Sequence, residues 1–154
     1  MDEMGKRNFR LVSIGGVGDS IFAGGATIPA SGSAEAGVGA MLRFPVMGGM
    51  PPTTSAEVMA NLGGTELRMF WGSSATDIWA VGTDQAWHFD GTRWTNSSMG
   101  ITTGSDLQAI YGFGTSDLWA VGAKVYRGNG TTWTEQPLSG STYYYGVWGA
   151  SAND

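Results

Sequence analysis

The chain has 154 residues, 42% of them hydrophobic, 12% aromatic and 14% charged, with a net charge of −5 and a pI near 4.6. That length and apolar content suit one core-forming domain and exclude a disordered chain, and only eight Lys and Arg, scattered along it, argue against a phosphate-backbone partner. Cysteine is absent, which removes disulfides, thiolate nucleophiles and Cys-based zinc sites, and no run approaches the ~18 apolar residues that span a bilayer.

With 26 glycines and seven tryptophans, the composition reads as short strands joined by tight turns, an all-β chain. Residues 1–10, MDEMGKRNFR, form a polar lead, either an arm or a single outer strand. The basic residues Lys6, Arg7 and Arg10 before an apolar stretch have the outline of a secretory signal, but Asp19 and the glycines at 15, 16, 18, 24 and 25 break it up. Residues 11–25, LVSIGGVGDSIFAGG, begin a first unit, and residues 26–40 are a small-residue insertion without a period. The pattern resumes at MLRF, residues 41–44. Residues 45–64, with Pro51-Pro52 and Gly63-Gly64, leave two readings open: one helical turn over 55–62, or a fourth strand.

The clearest signal is LRMFWGSSATDIWAVG, residues 67–82, which returns forty residues later as LQAIYGFGTSDLWAVG, residues 107–122. A third start, YYGVWGASAND at 144–154, follows 37 residues after the second copy. Self-similarity at this period marks stacked modules, each unable to bury its apolar face alone. The first unit is a diverged copy, with IFAGG at 21–25 over IWAVG at 78–82. Within a unit, residues 67–72 and 78–82 read as two strands. Apolar residues on both sides of Ala80 mark the second as buried on both faces. Asp90-Gly91 and Asn129-Gly130 then predict hairpins with both central residues at positive φ, so each unit resolves into four antiparallel strands. Asp77 and Asp117 are expected to accept backbone N–H groups across their own turns. Phe22, Trp79 and Trp119 are expected to stack between neighbouring units, and His88, in register with Arg127 and Arg43, to point into solvent.

The recurring Asp-(Ile/Leu)-Trp-Ala-Val-Gly in units of about forty residues resembles the blades of a β-propeller. It is most similar to bacterial repeat proteins with a Ser-x-x-Asp-Val-Trp-Ala-Val-Gly signature, common in large surface and secreted proteins. The resemblance implies an all-β propeller of four-stranded antiparallel blades, incomplete within one chain. It divides 1–154 into the lead 1–10, a diverged first blade 11–66 with insertions, a second blade 67–106, a third 107–143 and the first strand of a further blade 144–154. Three units are too few for a ring of four to eight blades. Either the chain is part of a longer one, or copies self-assemble to complete the ring.

Gly18-Asp19-Ser20-Ile21 resembles the nucleophile block of GDSL-type hydrolases, but a serine nucleophile needs a base. The sole histidine, His88, has Gln85 where that family's late block carries Asp. One histidine and no cysteine leave little material for a metal centre, and no cofactor is expected. The expectation is a non-catalytic scaffold that binds a protein partner, at the cell surface or secreted as the resemblance implies. The alternative is a glycan-binding, lectin-like propeller. Trp94 and Trp133, just past the hairpin turns, resemble the aromatic residues of small fucose-binding propeller lectins, which implies a ligand site of Arg93, Trp94, Trp133 and Glu135.

Overall fold

The structure, a computed structural model, describes residues 8–18, 20–28, 39–45, 57–62, 66–140 and 142–152. The expectations for 1–7, for Asp19, for most of the 26–40 insertion and for Pro51-Pro52 lie outside the described residues. Among the described residues there are twelve strands and no helix. They form three antiparallel sheets of four strands each. The first holds β1 (Asn8–Val17), β2 (Ser20–Ile28), β3 (Gly39–Pro45) and β4 (Glu57–Leu62). The second holds β5 (Met69–Ser74), β6 (Asp77–Gly82), β7 (Gln85–Phe89) and β8 (Trp94–Asn96). The third holds β9 (Ala109–Gly114), β10 (Asp117–Val121), β11 (Val125–Gly128) and β12 (Trp133–Glu135). Strand order follows chain order in every sheet, and the sheets do not close on themselves. Of the two readings for 55–62, the strand is the one observed.

The sheets stack because each second strand buries both faces. Along β6, Ile78 and Ala80 join the core shared with the first sheet, beside Phe22, Met41, Leu67, Phe70 and Phe89. Trp79 and Val81, one residue out of phase, join the core shared with the third sheet, beside Leu107, Ile110, Leu118, Tyr126 and Trp133. The third sheet repeats the division, with Leu118 and Ala120 facing back and Val121 facing the segment that holds Tyr144 and Val147. Phe22 is fully buried and Trp79 is 2% exposed, whereas Trp119, with no fourth sheet beyond it among the described residues, is half-buried.

One glycine contact recurs in all three units. A Cβ on Gly25, Gly82 or Gly122 would overlap the carbonyl oxygen of Arg10, Glu66 or Asp106 respectively. These glycines are where the end of the second strand meets the entry of the first strand of the same unit, and no side chain fits between two backbones. The entries are fastened to the preceding unit by main-chain bonds: Leu67 N donates to Gly25 O, Leu107 N to Thr83 O and Tyr144 N to Gly122 O. Residues 142–149 therefore dock as the start of a fourth unit would, although they belong to no sheet.

The hairpins keep a shared register, Phe89↔Trp94 and Gly128↔Trp133, but their turns differ from the expectation. Gly91 and Gly130 have positive φ while Asp90 and Asn129 do not. The loops are four residues long, closed by Asp90 N to Arg93 O at 3.2 Å and Asn129 N to Thr132 O at 3.1 Å. Each side-chain carbonyl then accepts two N–H groups inside its own turn, from Thr92 and Arg93 or from Thr131 and Thr132. That local bonding replaces the second positive φ.

Candidate binding surface

The outward face of the third sheet is where the repeat leaves aromatic side chains without a covering sheet. Tyr111 stands where Trp71 stands in the second unit, opposite the motif tryptophan in each case: Trp71↔Trp79 and Tyr111↔Trp119. The bulge after Gly112 brings in Phe113, whose ring meets Tyr111 edge to face at 5.3 Å. With Trp119, Val147, Trp148 and Ala152 these rings line a cavity of about 230 Å³. In the interface below, Trp79 receives the ring of Trp133 from the next unit at 5.9 Å. Among the described residues Trp119 has no such cap, and Trp148 is 76% exposed.

A polar pair flanks the motif aromatic in each unit. Asp77 Oδ1 lies 2.7 Å from His88 Nε2, and the imidazole stacks on Trp79 at 4.4 Å. Arg127 Nε donates to Asp117 Oδ1 at 2.9 Å, with its guanidinium 5.6 Å from the Trp119 ring centre. In the first unit Arg43 donates to the buried Ser20 Oγ at 3.1 Å. Two expectations change here. His88 is part of the interface rather than a solvated side chain, and the Asp77 and Asp117 carboxylates reach across to the third strand instead of accepting N–H groups of their own turns. At Arg127 the ring supplies a reason: the face of Trp119 attracts the guanidinium, and the Asp117 carboxylate beside it holds that cation in place. Asp77 also accepts from Ser73 Oγ within its turn.

A second polar cluster pins the unit entries. Asp84 accepts from the N–H groups of Gly104 and Asp106, each at 3.0 Å. Burial pushes its carboxyl upward, but the backbone donors outweigh that and hold it below the usual carboxylate range. Asp106, at a positive φ of 42°, accepts from the Tyr143 hydroxyl and from Arg68. The Tyr143 bond first, and the guanidinium with it, lower the Asp106 pKa against its partial desolvation, and the same bond raises that of Tyr143. Gln108 donates to Tyr143 at 2.6 Å, standing to it as Arg68 stands to Asp106 one unit earlier. Beneath them the Tyr126 hydroxyl joins Ser105 Oγ at 2.8 Å and the Thr102 N–H at 3.3 Å. These groups satisfy one another, which makes them a fastening rather than a reactive site.

The four residues expected to bind ligand do not converge. Trp94 packs on Phe89 at 5.4 Å in the core between the first and second sheets. Trp133 is 4% exposed in the core between the second and third, and its Nε1 donates to Ser97 O at 2.9 Å. Arg93 is exposed, 3.8 Å from Asp90, and Glu135 is exposed, 3.7 Å from Lys124. A ligand could reach the Trp133 ring only by prying the second and third sheets apart. Ser20, the candidate nucleophile, is buried against Arg43. The residues sequence reasoning missed are Tyr111, Phe113 and Trp148, and the first and last could have been found by aligning them with Trp71. Among the described residues no group of three or more His, Asp or Glu is placed to hold a metal ion, and no helix is long and apolar enough to cross a membrane. No protein-family model, curated protein or solved structure matches the chain.

Proposed function

We propose that the chain is a run of β-propeller blades acting as a non-catalytic scaffold for protein binding, in the surface or secreted setting that the resemblance implies. The repeated packing supports the blade reading: every sheet faces its neighbour through the same positions, and β1, β5 and β9 lie next to one another in turn. Completion of a ring requires further units, from a longer chain or from other copies. The single observation that carries the binding role is the aromatic face of Tyr111, Phe113, Trp119 and Trp148, which a further unit of the array or a partner protein would cover. Contiguous exposed apolar surface on a folded protein marks an interaction site, and aromatic residues are the side chains most enriched in binding hot spots. A photo-cross-linker placed at Phe113 is expected to capture a protein, while a glycan array stays silent. Glycan binding that disappears in a folded Trp94→Ala variant would overturn this in favour of the lectin reading.

A further inference from the structure

The hairpin of the third unit sets the parts of an intramolecular acyl transfer side by side. Asn129 Oδ1 accepts the N–H groups of Thr131 at 2.9 Å and Thr132 at 2.8 Å, with the Thr132 hydroxyl at 3.3 Å. Only the oxygen of a side-chain amide accepts, so these donors fix Nδ2 on the other side. The next residue is a glycine at a φ of +87°. Among the described residues neither Asn129 Nδ2 nor the Gly130 N–H has a hydrogen-bond partner. Asn129 Cγ is thus an electrophile whose oxygen is held by two backbone donors, as in an oxyanion hole. Gly130 N is a nucleophile one residue away, unbonded and unscreened by a side chain. Nδ2 is the leaving group.

We propose that Asn129-Gly130 is a self-modifying site at which the folded chain deamidates. Gly130 N bonds to Asn129 Cγ, the Cγ–Nδ2 bond breaks, and the Gly130 proton leaves with the released ammonia. Water then opens the cyclic imide, at Cγ to give aspartate or at the main-chain carbonyl to give isoaspartate, and the nitrogen regains its proton. One amide and one water become one carboxylate and one ammonium, so no oxidant or further reactant enters. The formal charge of the chain moves from −5 to −6. Neither step depends on a bound partner or on completion of a ring.

The second unit shows how the fold receives the product. Asp90-Gly91 occupies the same turn, and Asp90 Oδ1 accepts from the N–H groups of Thr92 and Arg93, each at 2.9 Å, and from the Thr92 hydroxyl at 2.6 Å. The Thr92 hydroxyl first, then the N–H groups of Arg93 and Thr92, hold that carboxyl far below the usual carboxylate range. An ionised carboxylate is a poor electrophile, so an aspartate at position 129 keeps the turn and resists closing the imide again. Asp90, Thr92 and Arg93 stay exposed although a third sheet stacks on the second, so a neighbouring unit does not shut water out of this hairpin tip. Asn96 is the internal contrast. Its Oδ1 accepts one N–H, from Ser98 at 3.1 Å, and the N–H of the following Ser97 is committed to Ala86 O at 2.9 Å.

The test incubates the full chain at neutral pH beside a free peptide copying residues 126–133, Tyr-Arg-Gly-Asn-Gly-Thr-Thr-Trp. Ion-exchange chromatography is expected to show a species more acidic by one charge, growing in with first-order kinetics as ammonia is released in equal amount. Peptide mapping should place aspartate and isoaspartate at position 129, with position 96 converted at least ~10-fold more slowly because its nucleophile is bonded away. That contrast needs no variant. Asn129→Gln, whose longer side chain would have to close a larger ring, should remove the acidic species. Asn129→Asp should fold with an unfolding midpoint equal to or above that of the parent chain. Three outcomes overturn the proposal: position 129 unchanged in the folded chain once the free peptide has converted fully, conversion at position 96 at a comparable rate, or a lowered midpoint in Asn129→Asp.

Discussion

Truncating the motif tryptophan in two different units isolates the effect of a covering sheet. Trp79 and Trp119 occupy the same place in the repeat, but Trp79 is 2% exposed between two sheets while Trp119 is half-buried on the open face. A buried tryptophan removes about 150–250 Å² from water, which at ~25 cal/mol/Å² is about 4–6 kcal/mol. That is an upper bound, because the unfolded chain buries part of the same area. Large-to-small substitution of such a ring typically costs ~3–5 kcal/mol. The Trp79 Nε1 is buried without a hydrogen-bond partner, so Trp79→Ala also removes an unsatisfied donor and recovers about 1 kcal/mol. The expected net loss is about 3 kcal/mol. Trp119, only partly covered, loses less area on truncation to Ala; with the contact to Arg127 the cost is about 2 kcal/mol in all. Guanidinium titrations at constant m-value measure the difference directly. In thermal unfolding the gap corresponds to roughly 2–4 °C for a chain of this size. Trp79→Phe should be mild, since Phe22 fills this place in the first unit. Equal costs for the two alanine variants would refute the account of which faces are covered.

Gly82→Ala and Gly122→Ala force a Cβ into a backbone carbonyl that cannot rotate away and should each cost at least the ~1–3 kcal/mol of core overpacking. Gly114→Ala, where nothing lies within 4 Å, should be near neutral by the same unfolding measurement. Asp84→Ala gives the Gly104 N–H to water and leaves the partly buried Asp106 N–H without its acceptor, and should cost about 1 kcal/mol, with faster hydrogen exchange at those two amides as the local readout. The Asp106–Tyr143 bond sets opposite limits on pH. Asp106 has its folded pKa lowered, so its contribution is complete above the ordinary value of ~3.9 and is lost as pH falls through the lowered one. Tyr143 has its folded pKa raised, so its contribution is complete below ~10 and is lost as pH rises through the raised value. Trp148 fluorescence should therefore report loosening of 142–149 at both extremes, and Tyr143→Phe should abolish the alkaline limb.

Strand existence was legible wherever a pattern has a single physical reading. A run such as Ile78 to Gly82, apolar on both sides of a small residue, suits only a strand buried on both faces, and its copy at 118–122 fixed the repeat. The turns were less legible because Asp-Gly and Asn-Gly suit two loop geometries. Asp90 and Asn129 chose the one in which their own side chains bond the turn, and sequence does not reveal that a four-residue loop has room for it. His88 was misplaced for a related reason. A lone polar residue opposite a tryptophan looks solvent-facing until a carboxylate eleven residues away reaches it. The expected ligand residues fared as they did because tryptophans beyond hairpin turns suit both sugar stacking and sheet packing, and spacing alone does not distinguish them.

Comparing the units with one another separates what the architecture fixes from what it tolerates. The motif aromatic is Phe22 in one unit and tryptophan in the other pair, and its flanking groups are Ser20–Arg43, Asp77–His88 or Asp117–Arg127. Those positions need volume and one hydrogen-bonded basic side chain, which several residue types supply. Gly25, Gly82 and Gly122 do not vary, since two backbones meet there and only hydrogen fits. Applied to the array's two ends, the same logic gives an asymmetry. At the start, Ile14 is 75% exposed in the place where Phe70 and Ile110 are buried against the unit before them. At the other end, Val147 already fills that place against Trp119.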